Sequence, residues 1–356
     1  MLSREEEDRP MLQTHAIDRK RIDKLLVATS RTFALCIPML PGPLRDSLGI
    51  GYLLLRNADS IEDAYRWPKE KRIARLQEYS MLLLHGSPQQ ARQFAESLEA
   101  EAGIQDQNHL ALLKASAFLL EQMNLLPEPY VQVITSHICR VVQRMQGWVA
   151  SHDEKNRLQL SRLNQLDDYC YAVAGIVGEL VTSLITLYRP TLGRTRLLLL
   201  RSLETACGAG LQLTNILKDV FRDHLEGRYY IPQEYLPFED GRTPEGLKPI
   251  FAHAYRNLCL GMEYACVLPE DEVKLRKSIL VPMLLAVATL RVLLEQIEAL
   301  LAGAEVKISR AKVAEILLLA ERIAGENRAV EKAWHDLSGP LLTLNSHTML
   351  QGMPAG

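Results

Sequence analysis

The spacing of apolar residues determines which class of fold this chain can adopt. Along most of the sequence apolar residues recur at intervals of three and four, which is the spacing of one face of an α-helix. Two examples are the sets Ile176, Leu180, Leu184 and Ile185, and Leu284, Val287, Leu290, Leu294 and Ile297. No stretch of the sequence alternates convincingly between apolar and polar residues, as a half-buried strand does. The pattern predicts an all-α protein.

Clusters of proline and glycine divide this helical pattern into ten or more segments. Proline removes a backbone donor and blocks the preceding turn, so such clusters indicate helix boundaries. The clusters lie at residues 38–43, 85–88, 126–129, 189–193, 237–249 and 338–340. Internal repeats and shifts in composition are not evident. We therefore expect one helical domain over residues 21–337, after a flexible arm of residues 1–20 and before a short tail of residues 338–356.

Charge and composition exclude several classes of partner and location. The formal net charge is -2, so the chain has no positive excess with which to bind nucleic acid. The first ten residues are too charged for a secretory signal. The longest uninterrupted apolar run, near residues 278–290, is shorter than the ~20 residues that cross a bilayer. We expect a cytoplasmic protein without a transmembrane segment that can still touch a membrane surface; the oligomeric state stays open.

The first acidic motif follows the apolar run of residues 48–55. It contains Asp59 and Asp63, with Glu62 and Arg56 close by in sequence. Residues four apart lie on one face of a helix, about 5.4 Å apart along its axis. Two carboxylates at about 5 Å repel each other by roughly 3 kcal/mol at an effective dielectric constant near 20. A divalent cation removes this repulsion, so the pair is a candidate metal site.

The second acidic motif repeats this arrangement later in the chain. Asp219 and Asp223 are again four residues apart, and Asn215 lies one turn earlier on the same face. Carboxylate and amide oxygens are the ligands that Mg²⁺ prefers. A single acidic pair is usually just part of a solvated helix face. Two pairs, each continuing an apolar helix and each close to Arg or Lys, favour a metal site that binds a diphosphate.

Four segments, in this order, resemble the squalene/phytoene synthase family, whose members join two prenyl diphosphates head to head. The segments are Ser30-Arg31-Thr32-Phe33, Tyr52 to Asp63, Tyr169 to Glu179, and Gln212 to Pro232. The resemblance extends from about Ser30 to about Ala320. It implies an all-α isoprenoid-synthase bundle around a central cavity, with the two acidic pairs facing each other across the mouth.

The resemblance also implies roles for individual residues. The implied metal ligands are Asp59, Glu62, Asp63, Asp219 and Asp223. The implied substrate-binding residues are Ser30, Phe33, Arg56, Val177, Leu211, Gln212, Asn215 and Arg228. The four aspartates and the tyrosines Tyr52, Tyr169 and Tyr171 are the implied catalytic residues. Tyr171 stands one position earlier than the tyrosine that precedes Val-Ala-Gly in squalene synthases, and one residue rotates a helical side chain by ~100°.

Within this family the sequence is most similar to squalene synthases, which convert two farnesyl diphosphates through presqualene diphosphate to squalene with NADPH. The segment Val306-Lys307-Ile308 resembles their NADPH-binding segment, although Ser309 replaces an arginine there. The candidate NADPH-binding residues are Arg31, Lys218, Lys307 and Arg310. For Lys307 and Arg310 a solvated helix start is nearly as good an interpretation. The alternatives are a dehydrosqualene or phytoene synthase that uses no reductant, and a non-catalytic helical scaffold.

Overall fold

The computed structural model of the protein describes residues 16–101, 103–236 and 244–348. Over these ranges the regular structure is helical and contains no β-strand, apart from an isolated bridge between Gln159 and Tyr229. The predicted all-α class is therefore confirmed. Residues 1–15 of the predicted arm and residues 349–356 of the predicted tail lie outside the described residues.

Helix boundaries follow the proline and glycine clusters that the sequence shows. The helices are α1 (Arg19–Thr29), α2 (Phe33–Cys36), α3 (Gly42–Glu62), α4 (Lys69–His85), α5 (Pro88–Ala100), α6 (Gln107–Lys114), α7 (Ser116–Met123), α8 (Glu128–Ala150), α9 (Leu163–Cys170), α10 (Ile176–Tyr188), α11 (Arg194–Leu225), α12 (Lys248–Val267), α13 (Val273–Glu295), α14 (Ile297–Leu301), α15 (Arg310–Ile323), α16 (Asn327–Ser338) and α17 (Leu341–Thr348). Short 3₁₀ turns lie at 37–39, 233–235 and 244–247.

Helical structure extends into both predicted terminal segments. Helix α1 begins at Arg19, within the predicted arm, and Asp18 caps it by accepting a hydrogen bond from the backbone N–H of Arg21 at 3.0 Å. Helix α17 begins at Leu341, which is fully buried although it belongs to the predicted tail.

Two apolar clusters form the core, and the half-buried Val173 and Ile279 pack against both. The first cluster includes the predicted apolar face of α10, where Ile176 and Leu184 are buried. The second includes most of the buried face of α13. The apolar periodicity read from the sequence therefore identifies residues of the core.

Helix α11 crosses α10 and the turn before it with backbone in contact with backbone. A Cβ atom on Gly178 would lie 2.0 Å from the Glu204 carbonyl oxygen, and one on Gly208 would lie 2.1 Å from that of Ala174. Neither position can hold a larger residue without displacing the helix, since such distances are far below van der Waals contact. The crossing fixes α11, which carries the second acidic pair.

Among the described residues, two helical stretches are long and apolar enough to cross a membrane, judged by length and composition alone: Leu163–Tyr188 and Val273–Glu295. The count of uninterrupted apolar residues did not select them, because each contains isolated polar residues. Core helices of other proteins have the same length and composition, so these two stretches do not overturn the expectation from the sequence. In the structure 67% of the apolar window in Val273–Glu295 is buried, and 44% of that in Leu163–Tyr188. The first value is typical of a core helix.

Candidate functional site

The first acidic pair lies at the C-terminal end of α3. This helix is buried along the face that contains Leu53 and Leu54, so its opposite face carries the polar residues Arg56, Asp59 and Glu62. Asp63 follows directly after the helix. The Arg56 Nη1 donates a hydrogen bond to Asp59 Oδ2 at 3.2 Å.

The second acidic pair lies in the last two turns of α11. Asp219 is half-buried and Asp223 is buried. After the helix, Gly227 adopts a positive φ of 74°, a conformation that glycine accepts without strain. The chain turns back there and brings Arg228 onto Asp223, whose Oδ1 accepts from Arg228 Nε at 3.1 Å and Nη2 at 2.6 Å.

One cavity of about 1240 Å³ is lined by both acidic pairs. It brings together most of the residues that the sequence singles out. These are Ser30, Arg31, Phe33, Tyr52, Arg56, Asp59, Glu62, Asp63, Tyr169, Gln212, Asn215, Lys218, Asp219, Asp223 and Arg228. The cavity therefore brings together residues that are far apart in the sequence, such as Ser30 and Arg228, which are separated by 198 positions.

Tyr171 does not line this cavity. Its hydroxyl donates to Glu179 Oε1 at 3.0 Å and accepts from Arg140 Nη2 at 3.0 Å, on an outer surface where Arg140 is 45% exposed. Tyr171 begins a π-helical turn, Tyr171–Gly175, which contains one more residue than an α-turn. Tyr171 follows the cavity-lining Tyr169 by two residues, which on a helix places the two side chains about 200° apart, so we omit Tyr171 from the proposed catalytic set.

Four other candidates also lie outside the lining of the cavity. Val177 and Leu211 are half-buried and pack against the two apolar clusters. Lys307 is 61% exposed and pairs with Glu305 at 2.7 Å, and the exposed Arg310 begins α15. Lys307 lowers the pKa of Glu305, and Arg31 lowers it further, so the segment of Lys307 lies near the Arg31 side of the cavity.

Burial raises the pKa values of four carboxyl groups in the cavity, those of Asp59, Glu62, Asp63 and Asp223. It raises the pKa of Glu62 well above the usual value, and the charges of Asp63 and Asp59 add to this increase. Burial also raises the pKa of Asp59, against the opposing charge of Arg56. Burial raises the pKa of Asp223 to about 6 although Arg228 opposes the shift. A cation bound here would oppose these shifts, because a positive charge favours the charged form of each carboxyl group.

Tyr65 and Tyr230 line the cavity, but neither is among the site residues predicted from the sequence. The Tyr230 ring centroid lies 5.0 Å from that of Tyr169, and the Tyr230 hydroxyl lies 3.5 Å from that of Tyr65. Burial raises the pKa of all three phenols well above the usual value. They remain protonated at neutral pH and form a group of potential donors. Only the position of Tyr230 inside the resembling segment of residues 212–232 could have indicated it.

His109 is a third residue of the cavity that the sequence did not reveal. It belongs to α6, and its Nε2 lies 3.0 Å from Nη2 of Arg56. An arginine can only donate, so this nitrogen accepts the hydrogen bond. The Arg56 Nε is buried and has no hydrogen-bond partner in the described part of the chain. It is a donor available to an anionic ligand in the cavity.

The donor set of the cavity fits a magnesium ion that is shared with a diphosphate. Within the described ranges, no three side chains of His, Cys, Asp or Glu converge closely enough to hold a metal by themselves. Mg²⁺ commonly takes only one or two carboxylates from the protein and completes its shell with water and phosphate oxygens. The two acidic pairs are separate, and each lies beside an arginine. One of these arginines, Arg56, has the buried donor described above. The cavity therefore meets that requirement.

Comparisons with known proteins identify the family of this chain. The family model for squalene/phytoene synthase matches residues 26–312. The squalene synthase of Schizosaccharomyces pombe is 26% identical over 321 residues, which cover 84% of this chain and 64% of that protein. The chain therefore spans slightly less than two thirds of the length of this curated relative.

Two solved structures share the fold. The structure of TcSQS with the ligand BPH1237 has a TM-score of 0.72 and 23% identity, and covers 94% of this chain and 93% of that one. A dehydrosqualene synthase in complex with a ligand has a TM-score of 0.55 and 17% identity, and covers 85% and 95%. At these identities the two structures support the fold alone. The family match over most of the chain goes further, and this chain belongs to the squalene/phytoene synthase family.

Proposed function

We propose that the protein is a Mg²⁺-dependent prenyltransferase that joins two farnesyl diphosphates through presqualene diphosphate and reduces the product with NADPH to squalene. The observation that carries this proposal is the single cavity that both acidic pairs line, with Arg56 and Arg228 between them. In the first step one farnesyl diphosphate loses pyrophosphate. Its allylic carbon then bonds to the second chain, which loses a proton.

The charged residues bind and orient the diphosphates. Asp59, Asp63, Asp219 and Asp223 would hold Mg²⁺, with Glu62 beside them, and the bound ion supplies charge stabilisation for the leaving pyrophosphate. Arg56 would donate to a phosphate oxygen through the nitrogen that has no partner, Nε, while Asp59 and His109 keep its other nitrogens in place. Because these donors are fixed before the reaction, little reorganisation is needed as charge develops.

The aromatic residues protect and stabilise the cationic prenyl chain. The Phe33 and Tyr52 rings pack with their centroids 5.0 Å apart at the cavity wall, and aromatic faces attract cations. Tyr169 and Tyr230 present protonated hydroxyls that can donate to departing pyrophosphate. Ser30, Gln212 and Asn215 line the same space and offer further polar contacts to the diphosphate.

We assign NADPH to the side of the cavity that Arg31 and Lys218 line. In the second step presqualene diphosphate would lose its pyrophosphate and its carbon skeleton would rearrange as a cation; when bound, the cofactor would supply the hydride that quenches this cation. Lys307 and Arg310 lie on the neighbouring segment, and their charges suit phosphate groups. We further propose a cytoplasmic enzyme that meets a membrane surface transiently.

Product analysis tests the proposed reaction. With farnesyl diphosphate and Mg²⁺ alone, the enzyme is expected to release pyrophosphate and accumulate presqualene diphosphate or its hydrolysis products. Addition of NADPH should redirect the flux to squalene, because hydride transfer quenches the rearranged cation in a water-poor cavity. Gas chromatography with mass spectrometry distinguishes these products.

Other outcomes would identify the alternative functions. A conjugated-triene hydrocarbon formed at the same rate with and without NADPH would identify a dehydrosqualene synthase. A clear preference for geranylgeranyl diphosphate in competition would identify a phytoene synthase. If no Mg²⁺-dependent release of pyrophosphate occurs, the remaining alternative is the non-catalytic helical scaffold.

The NADPH residues can be tested separately. Lys307→Ala is expected to raise the apparent KM for NADPH several-fold and to leave pyrophosphate release without NADPH nearly unchanged, since Lys307 lies outside the cavity that holds the carboxylates. The matched control is Lys312→Ala, which also removes a lysine paired with a glutamate. If both variants have the same KM for NADPH as the wild type, Lys307 is a solvated surface charge that does not bind the cofactor.

A further inference from the structure

Tyr65 contacts residues from both halves of the candidate site. It lies two residues after Asp63, in the turn that follows α3. The guanidinium carbon of Arg228 lies 5.3 Å from the centroid of the Tyr65 ring, within the range of a cation–π interaction. Arg228 in turn binds Asp223 through two hydrogen bonds. One ring thus connects the end of the first acidic motif to the second.

Arg72 holds Tyr65 in place from behind the cavity. It is completely buried, and its guanidinium carbon lies 4.7 Å from the Tyr65 ring centroid. Its Nη1 donates to the Glu62 carbonyl oxygen at 2.7 Å, and its Nη2 donates to His152 Nδ1 at 2.9 Å. Arg72 therefore fixes the last turn of α3 and the Tyr65 ring together.

Asn156 holds the backbone of the same turn. Its Nδ2 donates to the carbonyl oxygens of Tyr65 at 3.2 Å and Trp67 at 3.1 Å, and its Oδ1 accepts from Arg72. Asn156 adopts a positive φ of 60°, which asparagine tolerates better than most residues. With both its ring and its backbone held, Tyr65 is a fixed support for Arg228.

We propose that Tyr65 is a positioning residue that orients Arg228 and sets the separation between the two carboxylate pairs. This inference rests on the proposed function, since it assigns Tyr65 a role in binding Mg²⁺ and pyrophosphate. The aromatic face performs this role. The hydroxyl contributes little, because its separation of 3.5 Å from Tyr230 is long for a hydrogen bond between two hydroxyls.

Titration calorimetry with inorganic pyrophosphate in the presence of Mg²⁺ tests the role of the ring. Tyr65→Leu removes the aromatic face and is expected to weaken pyrophosphate binding about tenfold, as expected for loss of a partly desolvated cation–π contact. Tyr65→Phe keeps the face and should bind within about threefold of the wild type. Tyr188→Leu is the matched control, since that half-buried tyrosine lies outside the cavity and its variant should bind as the wild type does.

The outcomes separate this inference from the proposed function. If the wild type binds and Tyr65→Leu binds equally well, Tyr65 does not position the site, while the proposed function stands. If Tyr65→Phe loses as much affinity for pyrophosphate as Tyr65→Leu does, the hydroxyl and not the aromatic face is responsible, and the inference is wrong. If the wild type itself binds no pyrophosphate with Mg²⁺, the proposed function fails. Should thermal melting show that Tyr65→Leu is unfolded, Tyr65→Met removes the ring with an unbranched side chain and provides the same comparison.

Discussion

Substitution of Asp59 or Asp219 by asparagine is expected to lower Mg²⁺-dependent pyrophosphate release from farnesyl diphosphate by roughly a hundredfold to a thousandfold. Each substitution removes one of the proposed metal-binding carboxylates, Asp59 from the first acidic pair and Asp219 from the second. The rate falls because the charge of the leaving pyrophosphate is stabilised less. Loss of a single preorganised group of this kind commonly lowers a rate by a factor of this size. Steady-state release of pyrophosphate at saturating Mg²⁺ measures the effect.

The fold should survive both substitutions. Asparagine has nearly the shape of aspartate, and burial already disfavours the charged form of Asp59, as its raised pKa shows. Without Mg²⁺ the Asp59→Asn variant is expected to melt no lower than the wild type, because carboxylate repulsion near Asp63 is reduced. Asp336→Asn, at a side chain that is 66% exposed, is the control. Near-normal turnover in both active-site variants would refute the proposal that both acidic pairs bind the metal.

Substitution of Arg276 by methionine is expected to lower the free energy of unfolding by about 3–5 kcal/mol. This guanidinium is completely buried and donates to the carbonyl oxygens of Leu268, Cys266 and Ala324 and to Asn327 Oδ1. These acceptors lie at or just after the C-terminal ends of α12 and α15 and at the start of α16. Methionine fills much of the volume but leaves buried acceptors without donors.

Urea denaturation followed by circular dichroism measures this loss as a lower midpoint at similar slope. The matched control is Arg291→Met, which removes an arginine that is 38% exposed and pairs with Glu295 on the same helix. That variant should change the free energy of unfolding by less than about 0.5 kcal/mol. Equal midpoints for the two variants would show that Arg276 does not stabilise the helix ends.

The sequence predicted the fold class and much of the candidate site for physical reasons. Apolar spacing indicates helices because burial of one face is what stabilises them. The proline and glycine clusters lie at the observed helix ends, for example before α8 and before α11. Asp59 with Asp63 and Asp219 with Asp223 could be recognised because both members of each pair lie one helical turn apart.

Tyr65 and Arg72 could not be identified in the same way. Their partners are set by tertiary packing, as the contacts of Arg72 with His152 and of Tyr65 with Tyr230 show. These partners are 80 and 165 residues away in sequence, so no local pattern connects them. An isolated tyrosine or arginine near a helix end is common and carries no signal by itself.

The placement of Tyr171 agrees with helical periodicity. Residues two apart on a helix point about 200° apart, so Tyr169 and Tyr171 cannot both face the cavity. Tyr169 lies in the cavity, whereas Tyr171 contacts Glu179 and Arg140 outside it. The resemblance implied both tyrosines and could not by itself show which of them faces the site.

The close crossing of α10 and α11 also has a consequence for motion. At Gly178 and Gly208 the backbones meet without intervening side chains, so there is no layer of rotamers that could slide or rearrange. These two helices are therefore expected to move as one rigid body. A change in the width of the cavity, and the rate at which a ligand enters or leaves it, would then depend on lining residues outside this crossing, such as residues 103–106.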